Sequence, residues 1–279
     1  MIINIIDTFD QINEYRKSNS SFDLVTWKNY VDSISLSLYE KCIANAAEYN
    51  FEKDILPVIS SALYDGFDEI NMAHKNLSFL KNFLQSKIKV LFKVDFDIDI
   101  IFYIGLCNGA GWATELDGRK TVLIGAEKIV ELGWYETDII CDLVCHEVAH
   151  LIHFELRKAV PIPDNRSIWQ LYTEGFATRY SQKLYKDGLY HQNQNGWLEF
   201  CKTNHNSIKL EYLRRLNSNE STSDFFGDWN SYMGRSELGY YLGCEFVVWL
   251  ERGYSVNEIA CMLPDKLEHL LLEFLEDLI

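Results

Sequence analysis

His146, Glu147 and His150, in the run CHEVAHLIH, are the residues whose types and spacing could do chemistry. On a helix, positions four apart lie one turn apart with an offset of about 40°, so both imidazoles leave one face at a spacing that suits two ligands of a single tetrahedral metal ion. Glu147 lies beside them. Its carboxylate can reach a water at the metal without being a ligand itself, as a general base must. Ile139, Ile140, Leu143 and Val144 carry an apolar pattern into the motif, which puts the histidines on or beside a buried face. Two core histidines satisfied only by hydrogen bonds would need two acceptor arrangements in adjacent turns, whereas one zinc ion accounts for both.

A zinc that keeps a position for water takes three protein ligands, so a third is needed. Glu174 in YTEGFATRY is the candidate. It lies just past the start of a helix that follows the breaker PIPDNRS, and two antiparallel helices joined there would bring it opposite the histidines. A lone helical glutamate is ordinarily exposed, but Gly175 beside it marks a close backbone approach that a surface helix does not need. His153 shares the face of His146 and His150, yet it is too near along one helix to complete good geometry.

HEVAH followed by TEGFATRY resembles the gluzincin metallopeptidases, in which a glutamate from a following helix is the third zinc ligand and is commonly followed by Gly and a small residue. The likeness is best over the middle third of the chain. It implies a zinc-dependent peptidase that works through a metal-activated water, with Zn2+ on His146, His150 and Glu174, and Glu147 as the base. The interval from His150 to Glu174 is longer than in the aminopeptidase branch. With the downstream GYYLG, the chain looks closer to bacterial proteins known only as predicted zinc-dependent proteases. The metzincin pattern wants Gly at 153 and a ligand at 156, where this chain has His153 and Leu156.

The resemblance also implies an edge strand above the zinc helix that pairs with extended substrate. In NGAGWATELDGRKTVLIGAEKI a Gly-rich approach leading into TVLIG could serve that role, with an ordinary hairpin as the alternative. It further implies a Tyr or His donor from downstream to steady an oxyanion, for which Tyr240 is the first choice, then Tyr241 and Tyr232. Arg179 and Arg235 are read as helix or surface pairing rather than substrate contacts. A catalytically idle, zinc-bearing peptide-binding or regulatory protein stays open, as does a zinc hydrolase of a non-peptide bond.

The elements that must position these groups follow from texture. Apolar residues recur at three and four from about 22 to 93, which predicts a helical first section. β-Branched and aromatic runs predict strands near 97 to 106 and 119 to 125, with Asp117-Gly118 as a turn signal. A long helix is expected from about 136, a second through SIWQLYTEGFATRYSQKLY, a third through SELGYYLGCEFVVWLERG, and two short amphipathic helices in the tail. The fold class is α+β and zincin-like, mostly helical with a small mixed sheet beside the active-site helix. The organisation is a helical N-terminal section (1–94), a catalytic core (95–190) and a helical C-terminal section closing a cleft (191–279).

The 279 residues, 48% hydrophobic and 24% charged, can bury a substantial core. A net charge of −15 leaves no broad basic surface for phosphate backbones, so nucleic acid is not an expected partner; a peptide or protein substrate is what the resemblance implies. The start MIINIIDTFDQINEYRK lacks the basic end and apolar stretch of a signal peptide, and no segment has the roughly 18 apolar residues of a membrane span. Seven scattered cysteines without close CxxC pairing suit a reducing compartment, and a cytoplasmic protein is expected. The composition is silent on oligomeric state.

The ligand set has a direct test in purified protein. Each chain should carry about one zinc, and His146→Ala or His150→Ala should lose most of it by elemental analysis. Glu174→Ala should weaken zinc binding far more than His153→Ala, and the reverse order would show that the third ligand is misassigned.

Overall fold

A computed structural model describes residues 1–277. Its backbone divides into two compact units, Met1–Glu147 and the chain from Val148 onward. The first unit contains β1 (Ile3–Asp7), α1 (Phe9–Ser18), α2 (Leu24–Asp32), α3 (Leu38–Ala46), α4 (Leu56–Ser60), α5 (Phe67–Leu77), α6 (Leu80–Phe92), β2 (Ile98–Tyr103), β3 (Gly111–Leu116), β4 (Arg119–Gly125) and α7 (Ala126–Leu132). The next helix, α8 (Thr137–Leu156), runs through the boundary. After it come α9 (Arg166–Leu184), α10 (Trp197–Thr203), α11 (His205–Ser218), α12 (Leu238–Leu250), α13 (Val256–Ala260) and α14 (Pro264–Glu276). Positions 278 and 279 of the expected C-terminal section lie outside the described residues. The chain is thus mostly helical with a small mixed sheet, an α+β arrangement, and among the described residues no helix is long and apolar enough to cross a membrane.

The sheet order is β1-β2-β4-β3. β2 pairs in parallel with β1 and β4, and β3 closes the other side antiparallel to β4. All six residues of β2 are buried, as in a parallel strand covered on both faces. One correction to the sequence reading follows. The opening INIID is a strand in register with Ile98–Phe102, where a helical section was expected from residue 1. Of the Gly-rich approach and the TVLIG it leads into, the approach forms β3, an edge of the sheet, while TVLIG lies inside the sheet in β4. Asp117 and Gly118, with φ of 49° and 78°, form the two-residue link between paired Leu116 and Arg119, and that doubly left-handed turn suits the twist of an antiparallel hairpin.

The loop between β2 and β3 hangs on Glu127. Its fully buried carboxylate accepts from the backbone N–H of Gly105 (2.8 Å) and of Cys107 (3.1 Å). Gly105 leaves room for it: a Cβ there would stand 2.7 Å from Oε1. Burial raises the carboxyl from 4.5 to about 7, against the pull of those amides in the other direction. The folded chain therefore keeps a proton on Glu127 in a range where the unfolded chain has lost it. The associated stability is fully present below about pH 4.5, falls as pH rises, and levels off above about pH 7. Urea unfolding of wild type and Glu127→Gln across that range should show the free-energy difference moving against wild type by up to about 3 kcal/mol, and a flat difference would rule the assignment out.

Candidate metal centre

α8 is apolar nearly all round: Val144, Cys145, Val148, Ala149 and Ile152 are fully buried. Into this setting the sequence inserts five buried polar side chains: Asp142 and His153 at 0% exposure, His146 at 2%, and Glu147 and His150 at 7%. Buried polar groups at this density need partners. His150 Nε2 stands 3.2 Å from Glu174 Oε2 on α9. One ligand atom from each of His146, His150 and Glu174 falls within 4.8 Å of the others, a group that could hold a metal ion. The donor set fits a zinc-type ion. Two imidazole nitrogens and a carboxylate oxygen at bonds of about 2.1 Å on a tetrahedral centre would be spaced about 3.4 Å apart, close to the His150–Glu174 separation.

Backbone contact sets the depth of α9. A Cβ on Gly175 would run into the carbonyl of Gly243 on α12, and one on Gly243 would run into the Leu171 carbonyl and stand 2.8 Å from Gly175 Cα. The two helices touch main chain to main chain, which is the close approach the sequence signals at TEG. Glu174 is the residue next to that contact, so its height along the site is fixed by glycine packing.

His153 does something else. Fully buried, it stacks on Phe176 with ring centroids 4.2 Å apart, and its Nδ1 stands 3.3 Å from Thr173 Oγ1. Burial first, and then the nearby Arg157 charge, push its pKa well below the ordinary histidine value. It is a neutral spacer between α8 and α9 and lies outside the metal-capable group. Arg157 continues this seam by donating to the carbonyls of Ala260 (3.0 Å), Met262 (3.2 Å) and Pro161 (2.6 Å).

Glu147 lies outside the ligand group as well. Its Oε2 accepts from the backbone N–H of Ala113 at 2.8 Å. That amide points off β4, toward the free side of the edge strand, and by strand alternation Gly111 and Glu115 present their main-chain groups the same way. Gly111 is the bed for the side chain: a Cβ there would lie 2.6 Å from Glu147 Oε1 and 2.7 Å from its Cγ. Sequence reasoning missed this pairing of GAGWA with the motif, although the glycine cluster was its visible sign.

The tyrosines separate clearly. Tyr240 lies in the first turn of α12, one turn before Gly243, with its ring edge-on to Phe226 at 5.9 Å and partly exposed. Tyr241 is buried and places its hydroxyl 3.0 Å from His205 Nδ1. Tyr232 stacks on Phe225 at 5.1 Å and forms a β-bridge with Arg235. Arg179 pairs with Glu251 and Asp187, and Arg235 donates to the Asn195 carbonyl.

If Gly111 exists to seat Glu147, a methyl group there should cost about 1–3 kcal/mol in chemical denaturation. The cost should shrink by on the order of 1 kcal/mol when Glu147→Ala is also present, since the clash is with that side chain. Purely additive losses would mean that the glycine serves something else. Comparison with protein-family models, curated proteins and solved structures gives no match for this chain, which leaves the geometry of Glu147 and of the His146–His150–Glu174 group as the ground for a functional reading.

Proposed function

We propose that the chain is a zinc-dependent metallopeptidase, zincin-like in fold and gluzincin-like in its ligand set. The observation that carries this reading is Glu147. It stands in helical register between two ligand-capable histidines, is itself left out of the ligand group, and is held by a neutral backbone amide. Burying a carboxylate against one neutral donor costs stability, and a metal site with a purely structural purpose has no use for it.

His146, His150 and Glu174 would hold the ion. When bound, a zinc ion supplies Lewis acidity, polarising a carbonyl and making a water more acidic. Glu147 then does the proton work. With Oε2 occupied by the Ala113 N–H, Oε1 takes a proton from the attacking water. As the water oxygen bonds to the carbonyl carbon and the C–N bond breaks, the same carboxyl returns the proton to the leaving amine nitrogen. The outward main-chain groups of β3 are suited to pair with an extended peptide, which would bring its backbone past Glu147. Tyr240 is assigned as the hydroxyl that steadies the oxyanion. The seven thiols, six of them buried, suit the reducing interior of a cell, and a cytoplasmic place of action is part of the proposal.

Glu147→Gln keeps the shape and the acceptor for Ala113 while removing the base. Zinc content should stay near wild type, and digestion of a peptide library by zinc-loaded protein, with a chelator-treated control, should fall at least ~10²-fold. Equal cleavage by wild type and variant would remove Glu147 from the reaction. Absence of cleavage by wild type, with equal peptide affinity in both proteins, would leave a zinc-bearing binding protein in place of an enzyme.

A further inference from the structure

α9 opens at Arg166 and carries Gln170 and Thr173 along one face before it reaches Glu174. Those side chains, with Ser167 and the segment Ser221–Ser223, line a cavity of about 560 Å³. The chain has 41 acidic residues against 26 basic ones, yet no carboxylate lines this space. Its wall is a guanidinium, a carboxamide, hydroxyls and the edge of Trp169.

Most of these groups are already engaged. Thr222 Oγ1 donates to Ser167 Oγ at 2.8 Å, Ser221 Oγ to Ser223 Oγ at 3.0 Å, and Thr173 faces His153. The helix end is closed too, because Asn165 Oδ1 accepts from the N–H groups of Ser167 and Ile168. Nearby acids are committed elsewhere: Glu211 and Glu220 to Arg214, and Glu211 and Asp224 to Arg215. Among the described residues, the Arg166 and Gln170 side chains are engaged by none of these groups. A cation in the first turn of a helix also works against the helix dipole, so Arg166 gains little from its own helix.

We propose that this cavity receives a carboxylate of the substrate, carried by an acidic side chain or by a free C-terminus, with Arg166 as the ion-pair partner and Gln170 as an amide donor. The inference rests on the metallopeptidase reading for the word substrate; the carboxylate site itself does not need it. A single guanidinium matches one carboxylate in a forked pair, whereas a doubly charged phosphate would call for more cations than the wall provides. The net charge of −15 repels acidic peptides at long range, so selectivity would come from this local exception. Gln170 is one helical turn from Glu174 and Arg166 is two, or about 6 and 12 Å along the axis. At about 3.3 Å per extended residue, the carboxylate sits roughly two to four residues from the bond that is cut.

The test uses zinc-loaded full-length protein and matched peptides carrying Glu, Gln or Lys at successive positions, each made with a free or an amidated C-terminus. Wild type should prefer Glu over Gln, or free acid over amide, at two to four residues from the cleaved bond; which of the two preferences appears identifies the source of the carboxylate. Arg166→Ala should lower the preference ratio in kcat/KM by at least about tenfold, and Arg166→Glu should turn it toward Lys. The same peptides are titrated by calorimetry into zinc-loaded Glu147→Gln, with and without Arg166→Ala. Binding that depends on both the carboxylate and Arg166, in a protein whose wild type cleaves nothing, would uphold the site and overturn the peptidase reading. Cleavage with no carboxylate preference, or with a preference that survives Arg166→Ala, would overturn the site and leave the peptidase reading standing. A protein that shows no cleavage and no carboxylate-dependent binding would overturn the site.

Discussion

Glu174 can stand 3.2 Å from His150 only because α9 is allowed to lie directly on the backbone of α12. The Gly175–Gly243 contact is a constraint of excluded volume: any side chain at either position has to push main chain, and main chain in the middle of a helix has nowhere to go. Interiors packed this tightly have few alternative registers. The residues flanking Gly175 on α9 inherit the constraint, including Thr173 against His153, the ring of Phe176, and the ligand-capable carboxylate of Glu174. The polar chemistry of the site is thus held in place by two residues that carry no side chain.

Behind that contact, the seam between α8 and α9 is filled with groups that could have been ligands or charges and are instead kept neutral or satisfied. His153 is stacked and uncharged. Arg157, 3% exposed, gives its protons to the carbonyls of Pro161, Ala260 and Met262. A guanidinium used this way serves as a multi-pronged backbone clamp, and it ties the end of α8 to the chain around α13 without adding negative charge near the metal-capable group.

The parts of this arrangement that were legible in the sequence are those encoded by local pattern. HEVAH on a helix, the breaker at PIPDNRS, the second helix and the meaning of Gly175 all follow from periodicity and residue type over a few turns, and the helices Thr137–Leu156 and Arg166–Leu184 lie where that pattern puts them. What was not legible depends on pairing between distant segments. INIID is too short to announce itself as a strand, and only its register with β2 makes it one. Which part of GWATELDGRKTVLIG forms the edge depends on β2, which lies beside β4 and leaves β3 outside. The seat of Glu147 on Gly111 and Ala113 joins residues 34 and more positions apart, a relation no window of sequence contains. Arg166 reads as an ordinary helix-start residue until its neighbours' acids are seen to be taken by Arg214 and Arg215.

The pairing of β1 with β2 also bears on how the chain comes to be folded. Ile3 and Ile98 are partners, so the first strand waits for about 95 further residues before its neighbour exists. At ribosomal rates of about 5–20 residues per second, that is roughly 5 to 20 s in which an apolar strand and the helices after it have no sheet to rest on. Of the four strands, the one that supports the middle of the sheet on one side is therefore made well before its neighbour, and during that interval of synthesis INIID is an exposed segment that a chaperone has reason to cover.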